Sequence, residues 1–311
     1  MKILVTGGAG FIGSHLSERL IKEGHQVVVV DDLSNGKVDF VPTGAVPLYS
    51  NYADPSVLRF IQQTKFDTVF HLAAKPRVSY SVEHPAETND ENVGNTVKLL
   101  EACRGNVGRF VFTSSSSVYG GAQQLPTKEG SPRDPKSPYA LQKMIGEDYC
   151  AMFSDLYGMD TACVRPFNVY GPRQLNNGVY GTVVAAWLDA VKHGGELRSD
   201  GDGSQTRDMT HVDNVVDVFC RVAAYQGKLS GEAFNAGTGS SVSNKQILNW
   251  FASKHPEIQS RVKHAPWRAG DVRATLADTS ACQRLLGYKV ITDFWPGLEQ
   301  TRDWALASPL F

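Results

Sequence analysis

The chain has 311 residues, long for one compact domain and short for three, so two lobes are expected. Hydrophobic residues make up 41% and charged residues 20%, which suits an ordinary globular protein and argues against disorder. The formal net charge of −1 leaves no global basic field to hold nucleic acid or an anionic membrane, so any anionic ligand must be gripped by a few local cations.

Residues 2–6 are a short β-branched run that predicts a strand, and glycines lead from it into helical periodicity over 11–22. A second strand is predicted over 26–30, all valine after Gln26. The alternation goes on: helix 55–64, strand 67–71, helix 87–104, strand 109–113, helix 137–157, strand 161–165. Continuous apolar strands between amphipathic helices predict an α/β fold with a Rossmann-type, doubly wound parallel sheet covered on both faces. Residues 1–172 are assigned to this dinucleotide-binding unit. Beyond them the pattern loosens into loops rich in Gly, Asn, Asp and Ser, with helices predicted over 182–192, 212–224 and 244–254. Residues 173–311 are therefore read as a smaller α/β lobe for the substrate, with 209–240 returning to pack on the sheet.

Five cysteines, at 103, 150, 163, 220 and 282, include no CxxC pair, and no secretory leader is read at the start of the chain. Reduced thiols in a cytoplasmic protein are the expectation. No run reaches the roughly 18 apolar residues of a membrane span. Eight histidines are scattered without HxxxH or HExxH spacing, so no metal site is expected.

Gly7, Gly10 and Gly13 form a GxxGxxG turn between the first strand and the first helix. Glycine lets backbone approach a pyrophosphate, and the helix N-terminus offers free N–H groups to it. Asp31 ends the second strand, where a carboxylate can accept bonds from adenosine ribose hydroxyls and repel a 2′-phosphate. Asp32 and Leu33 follow with no arginine, which favours NAD over NADP. Tyr139 and Lys143 form YxxxK on one helix face. An ammonium near a phenol is expected to lower the tyrosine pKa, fitting it as a base near neutral pH. The hydroxyl run Thr113-Ser114-Ser115-Ser116-Ser117 lies at the carboxyl end of a predicted strand, where ligands collect in such sheets.

These motifs occur in order with His71-Leu72-Ala73-Ala74, Asn92, Arg165-Pro166-Phe167-Asn168-Val169-Tyr170-Gly171-Pro172, Gly201 to Asp208, Phe234-Asn235-Ala236-Gly237 and Arg268-Ala269-Gly270-Asp271. Together they resemble the extended short-chain dehydrogenase/reductases that act on sugar nucleotides, over nearly the full length. The resemblance implies a catalytic triad of Ser115, Tyr139 and Lys143, with Ser117 a further hydroxyl facing the sugar. It implies NAD held by Gly7, Gly10, Phe11, Ile12, Gly13, Asp31, Asp32, Asn35, Leu72, Ala73, Ala74, Lys75, Asn92 and Ser114, with Phe167 near the nicotinamide. On the substrate side it implies Lys75, Ser116, Asn168, Val183, Arg207, Arg268, Asp271 and Thr275, with Asn168 and the two arginines on the diphosphate. It also implies a homodimer through the helices over 87–104 and 137–157.

The chain departs from the family pattern in two places. An acidic residue often follows the third strand for the adenine, and here Asn51-Tyr52 stands there; the proline of an RPGD pattern is Ala269. Within the family, 4,6-dehydratases typically carry Asp-Glu before the Val-Tyr-Gly, where this chain has Ser116-Ser117. Elimination then lacks its carboxylates, and inversion at C4 of a UDP-hexose or UDP-N-acetylhexosamine is expected. A UDP-glucuronate 4-epimerase or a nucleotide-sugar 4-reductase is the alternative. Thr275 is small where the family carries a pocket-limiting residue, which favours acceptance of N-acetylated sugars.

Overall fold

Valine-rich segments buried on both sides dictate the centre of the molecule. The computed structural model describes residues 1–121, 124–176, 182–267 and 272–311. The first half runs β1 (Lys2–Thr6), α1 (Phe11–Lys22), β2 (Gln26–Asp31), β3 (Val46–Tyr49), α2 (Pro55–Gln63), β4 (Phe66–His71), α3 (Val78–Glu83), α4 (Pro85–Asn89), α5 (Asn95–Cys103), β5 (Val107–Thr113) and α6 (Pro138–Tyr157). The second continues β6 (Thr161–Pro166), β7 (Val169–Tyr170), α7 (Val183–His193), β8 (Leu197–Asp200), β9 (Thr206–Arg207), β10 (Thr210–His211), α8 (Val212–Ala224), β11 (Glu232–Ala236), β12 (Val242–Ser243), α9 (Asn244–Lys254), β13 (Val262–Ala265), α10 (Ser280–Leu286) and α11 (Phe294–Ala307).

Seven strands form one sheet in the order β11-β6-β5-β4-β1-β2-β3, and every pairing in it is parallel. In register, Val5 lies between Val29 and Phe70. Because the chain runs outward from β1 in one direction and from β4 in the other, their carboxyl ends diverge and leave a crevice. One face of the sheet buries Leu16 and Leu20 of α1 with Val215, Val218 and Phe219 of α8. The other buries Val57 and Ile61 of α2, Leu99 and Leu100 of α5, and Cys150 and Phe153 of α6. A separate core of Trp187, Leu188, Phe251 and Leu298 joins α7, α9 and α11.

Most predicted elements appear with ends within a residue or two. The helix predicted over 87–104 is different: α4 and α5 are separated by a wide i→i+5 turn at Asp90–Gly94. Such turns mark places where a side chain is redirected. Here Asn92 Oδ1 accepts from Lys75 N at 2.7 Å and Asn92 Nδ2 donates to Lys75 O at 3.1 Å. β3 escapes the periodicity because it is an edge strand, with Val46 and Tyr49 exposed and Pro47 within it. Within 209–240, α8 packs on α1 and β11 pairs with β6. Among the described residues, no helix is long and apolar enough to cross a membrane.

Candidate active site

A cleft of about 820 Å³ opens along the carboxyl ends of the strands, lined by Gly7 after β1, Asp31 of β2, Leu72 after β4, Thr113 of β5 and Pro166 of β6. The β1–α1 turn forms its floor. Gly7 has φ +70°, and a Cβ there would meet Ala73 N at 2.7 Å; a Cβ on Gly13 would meet the Gly7 carbonyl oxygen at 2.1 Å. Turn, helix and the Leu72–Ala73 segment are thus closed on bare backbone. Gly10 caps α1 without a side-chain bond, leaving its first amides for a ligand.

Asp31 stands at the next corner. Its Oδ2 accepts from Ala9 N at 2.9 Å and its Oδ1 from Leu33 N at 2.8 Å. Burial pushes this carboxyl above its usual range, and the two N–H bonds offset that only in part. Gly36 keeps the approach open, since a Cβ there would lie 2.7 Å from Asp31 Oδ1. Beyond it, Asn51 Nδ2 donates to the Glu91 carboxylate at 3.3 and 3.4 Å, and Tyr52 donates to the Glu91 carbonyl at 2.6 Å. The acid missing from the sequence motif at Asn51 is therefore brought to the same spot by Glu91, from the wide turn between α4 and α5.

The hydroxyl run turns sharply after β5. Ser115 caps a 3₁₀ turn at Ser116–Tyr119, accepting from Ser117 N at 3.2 Å and from Ser117 Oγ at 2.9 Å. α6 starts with Ser137 as its cap and Pro138 in the first turn, which fixes Tyr139 at the mouth. Tyr139 N is also held by Ser81 Oγ at 3.1 Å, and its phenol lies beside Ser115. Lys143 is buried one turn on, and its Nζ donates to Thr113 O at 2.8 Å.

The expectation that Lys143 lowers the Tyr139 pKa is corrected here. Burial pushes Tyr139 up to about 12, and the neighbouring Ser115 hydroxyl is what favours the phenolate. Lys143 Nζ lies 5.9 Å from the phenol ring centroid and spends one of its three N–H donors on the Thr113 carbonyl. Burial also pulls Lys143 itself down to about 8.

On the far wall, Asn168 has φ 25° and donates from Nδ2 to Thr275 Oγ1 at 2.8 Å and to Asp208 O at 3.2 Å. The same cleft brings together Phe11, Ile12, Asp32, Asn35, Ala74, Lys75, Ser114, Ser116 and Arg207. Phe167, Asn92 and Val183 do not line it. Phe167 is buried against Tyr119, Asn92 brackets Lys75 from behind, and Thr182 takes the wall position beside Val183. Arg268 and Asp271 lie outside the described residues. Thr113, the first residue of the hydroxyl run, lines the cleft too, as do Glu91, Arg77, Lys136 and Arg173, to which the sequence motifs do not point. Arg173 directly follows the quoted Gly171-Pro172, and Glu91 directly precedes Asn92, so adjacency was the available signal. The acids among the described lining residues are Asp31, Asp32 and Glu91, all at the β2 end and none beside Ser115–Ser117.

The model of the NAD dependent epimerase/dehydratase family matches residues 3–237. The chain belongs to that family. It is 38% identical to the UDP-glucose 4-epimerase of Mycolicibacterium smegmatis, across 98% of each chain. Its fold superimposes on the UDP-glucose 4-epimerase of Thermotoga maritima solved with UDP-glucose, with a TM-score of 0.91, 34% identity and 98% of each chain covered. It is similar as well to the UDP-N-acetylglucosamine 4-epimerase of Methanobrevibacter ruminantium M1 in complex with UDP-N-acetylmuramic acid, with a TM-score of 0.90, 32% identity and 97% of each chain covered.

The residues present fit the family's dinucleotide. The glycine turn excludes side chains where a pyrophosphate must meet backbone, and Asp31 offers lone pairs beside a Gly36-cleared space. Deeper in, Thr113 Oγ1 is buried without a hydrogen-bond partner while lining the cleft. A polar ligand entering here satisfies it.

Proposed function

We propose that the chain inverts C4 of a UDP-hexose or UDP-N-acetylhexosamine, using tightly bound NAD. The observation that carries this reading is a hydroxyl turn beside Tyr139 in one cleft, with no carboxylate beside it among the described lining residues. Oxidation and reduction at a carbinol need a proton carrier, which this arrangement supplies. Elimination of water needs an additional acid and base, which it lacks.

Bound NAD supplies a hydride acceptor and donor and a positive charge in the ring. In the proposed reaction Tyr139 takes the proton of the sugar O4 and later returns it, and Ser115 relays between phenol and sugar. Lys143 contributes an ammonium next to both. Ser116, Ser117 and Lys75 line the sugar end, and Asn168 and Arg207 hold the diphosphate so that the 4-keto sugar can turn without leaving. Arg268 is assigned to the same clamp and Asp271 to the substrate side of the site, whereas Val183 falls outside the cleft lining. Gly7, Gly10, Phe11, Ile12, Gly13, Asp31, Asp32, Asn35, Leu72, Ala73, Ala74 and Ser114 would hold the dinucleotide. Residues 1–172 with 209–240 are assigned to the cofactor, and most of 173–311 to the nucleotide sugar.

The deciding experiment follows anomeric proton signals by NMR while the purified protein meets a panel of UDP-sugars with no added NAD. Interconversion of a C4 pair is expected. Net consumption of external NADH with no C4 partner formed would point to a reductase instead.

Two variants refine the reading. Asp31→Ala is expected to weaken NAD binding by about 10- to 100-fold, the worth of losing charged hydrogen bonds; titration of NAD into the stripped protein measures it. Thr275→Tyr is expected to abolish turnover of N-acetylated substrates first, by filling the wall opposite Ser115 and releasing Asn168. An equal loss on UDP-glucose removes the size gate from the account. A homodimer through the helices over 87–104 and 137–157 in the cytoplasm completes the proposal, supported by Leu141, Met152 and Leu156 exposed along α6.

A further inference from the structure

Behind the hydroxyl turn, α6 carries a carboxylate that the proposed reaction does not use. Glu147 is 5% exposed and lies one turn beyond Lys143. Its Oε1 accepts from the Ser114 hydroxyl at 2.5 Å and from Arg165 Nε at 2.7 Å. Its Oε2 accepts from Arg165 Nη2 at 2.7 Å and from Arg133 Nη1 at 3.3 Å. Lys143 meanwhile holds the carbonyl of Thr113. Two successive turns of α6 therefore pin the two residues that lead into Ser115.

The charges around this pair come from several elements. Tyr139 and Cys150 of α6, His71 of β4 and Cys163 of β6 face Lys143. Burial keeps His71 neutral, and a bond to Cys150 with burial keeps the Cys163 thiol neutral. Around Glu147 stand Arg165, Arg133 and Tyr119; Arg165 also donates to Tyr119 Oη at 2.7 Å and to Glu129 O at 2.8 Å, and Arg133 pairs with Asp148 at 2.7 Å. Glu147 stands one helical turn from Lys143 on the same face of α6.

We propose that Glu147 is a positioning residue of the reaction centre, holding the Ser114–Ser115 turn against α6 and supplying the counter-charge for the Lys143 ammonium. Its effect on turnover rests on the epimerase reading above; its effect on the charge of Lys143 does not.

The test titrates Lys143 directly in the NAD-loaded protein, by ¹³C NMR of lysine Cε with Lys143→Arg for assignment, alongside kcat/KM against pH. Glu147→Gln keeps an oxygen for Ser114 and removes the charge, so the Lys143 midpoint and the alkaline limb fall by about one pH unit. Arg133→Gln strips a half-exposed cation from the other side of the carboxylate, so the midpoint rises by a smaller step. Ser114→Ala loosens the turn and leaves the charge, so kcat falls several-fold with the midpoint in place. A scaffold-only role lowers activity in all three without opposite shifts. A midpoint unmoved in both charge variants overturns the proposal; if Glu147→Gln does not fold, the direction of the Arg133→Gln shift decides it. Expected shifts without any C4 interconversion leave the positioning role standing and remove the epimerase.

Discussion

Replacing Tyr139 with phenylalanine is expected to lower kcat by about a thousandfold, with KM for the nucleotide sugar and the bound NAD content close to those of the parent. The ring stays in the cleft wall, Tyr139 N keeps its bond to Ser81, and Lys143 keeps its bond to Thr113, so only the proton carrier is lost. Ser115 cannot replace it, because a serine hydroxyl has no accessible proton-accepting state near neutral pH without a base to drain it. The parent should also show an alkaline limit. Burial holds Lys143 at about 8, below its ordinary 10.5. Its ammonium is complete below that midpoint and lost above it, so activity that depends on the charge falls as pH rises through about 8. Stability moves the other way. Between 8 and 10.5 the unfolded chain binds a proton that the folded one has shed, so this group's contribution to stability increases with pH. Steady-state rates and released NAD measured together check the prediction; a loss under tenfold assigns the proton transfer to another group.

The parts of the molecule that local physics dictates were legible in the sequence. β1, α1, β2, β4 and β6 follow from valine runs and a one-sided helix, and the glycine turn follows from the approach it permits. Tyr139 and Lys143 share a helix face because their spacing requires it. What was not legible depends on contacts far apart in the chain. The wide turn at Asp90–Gly94 has no proline to announce it and is accompanied by the bonds between Asn92 and Lys75. Glu91 reaches the cleft through that turn. The pairing of Asn168 with Thr275 spans more than a hundred residues, and nothing local hints that one tethers the other. The pKa of Tyr139 has the same origin: helical spacing gives the neighbour, whereas the burial that raises the phenol comes from the packed sheet.

Gly13→Ala is expected to yield a chain that folds but purifies with less than about a tenth of the parent's NAD. The added Cβ would lie 2.1 Å from the Gly7 carbonyl oxygen, 2.8 Å from Gly7 C and 2.9 Å from Gly8 Cα, all of them backbone. No rotamer relieves such a contact, so α1 and the turn must separate. The turn has little room to yield toward Ala73, where even a Cβ on Gly7 would lie 2.7 Å from Ala73 N. Displacement of about 1 Å in a positioned site costs about a hundredfold, and here it moves the α1 amides that would meet the pyrophosphate. The sheet itself depends on Val5, Val29 and Phe70, which the substitution leaves in register, so the far-ultraviolet spectrum should persist while the melting temperature drops. Gly130→Ala is the matched control: nothing stands within 4 Å of a Cβ there, so NAD content and melting should match the parent. Nucleotide released on heating, measured by absorbance, separates the two. Full NAD occupancy in Gly13→Ala would mean that the dinucleotide does not lie on this turn, and Asp31, Leu72 and Thr113 would then need another ligand.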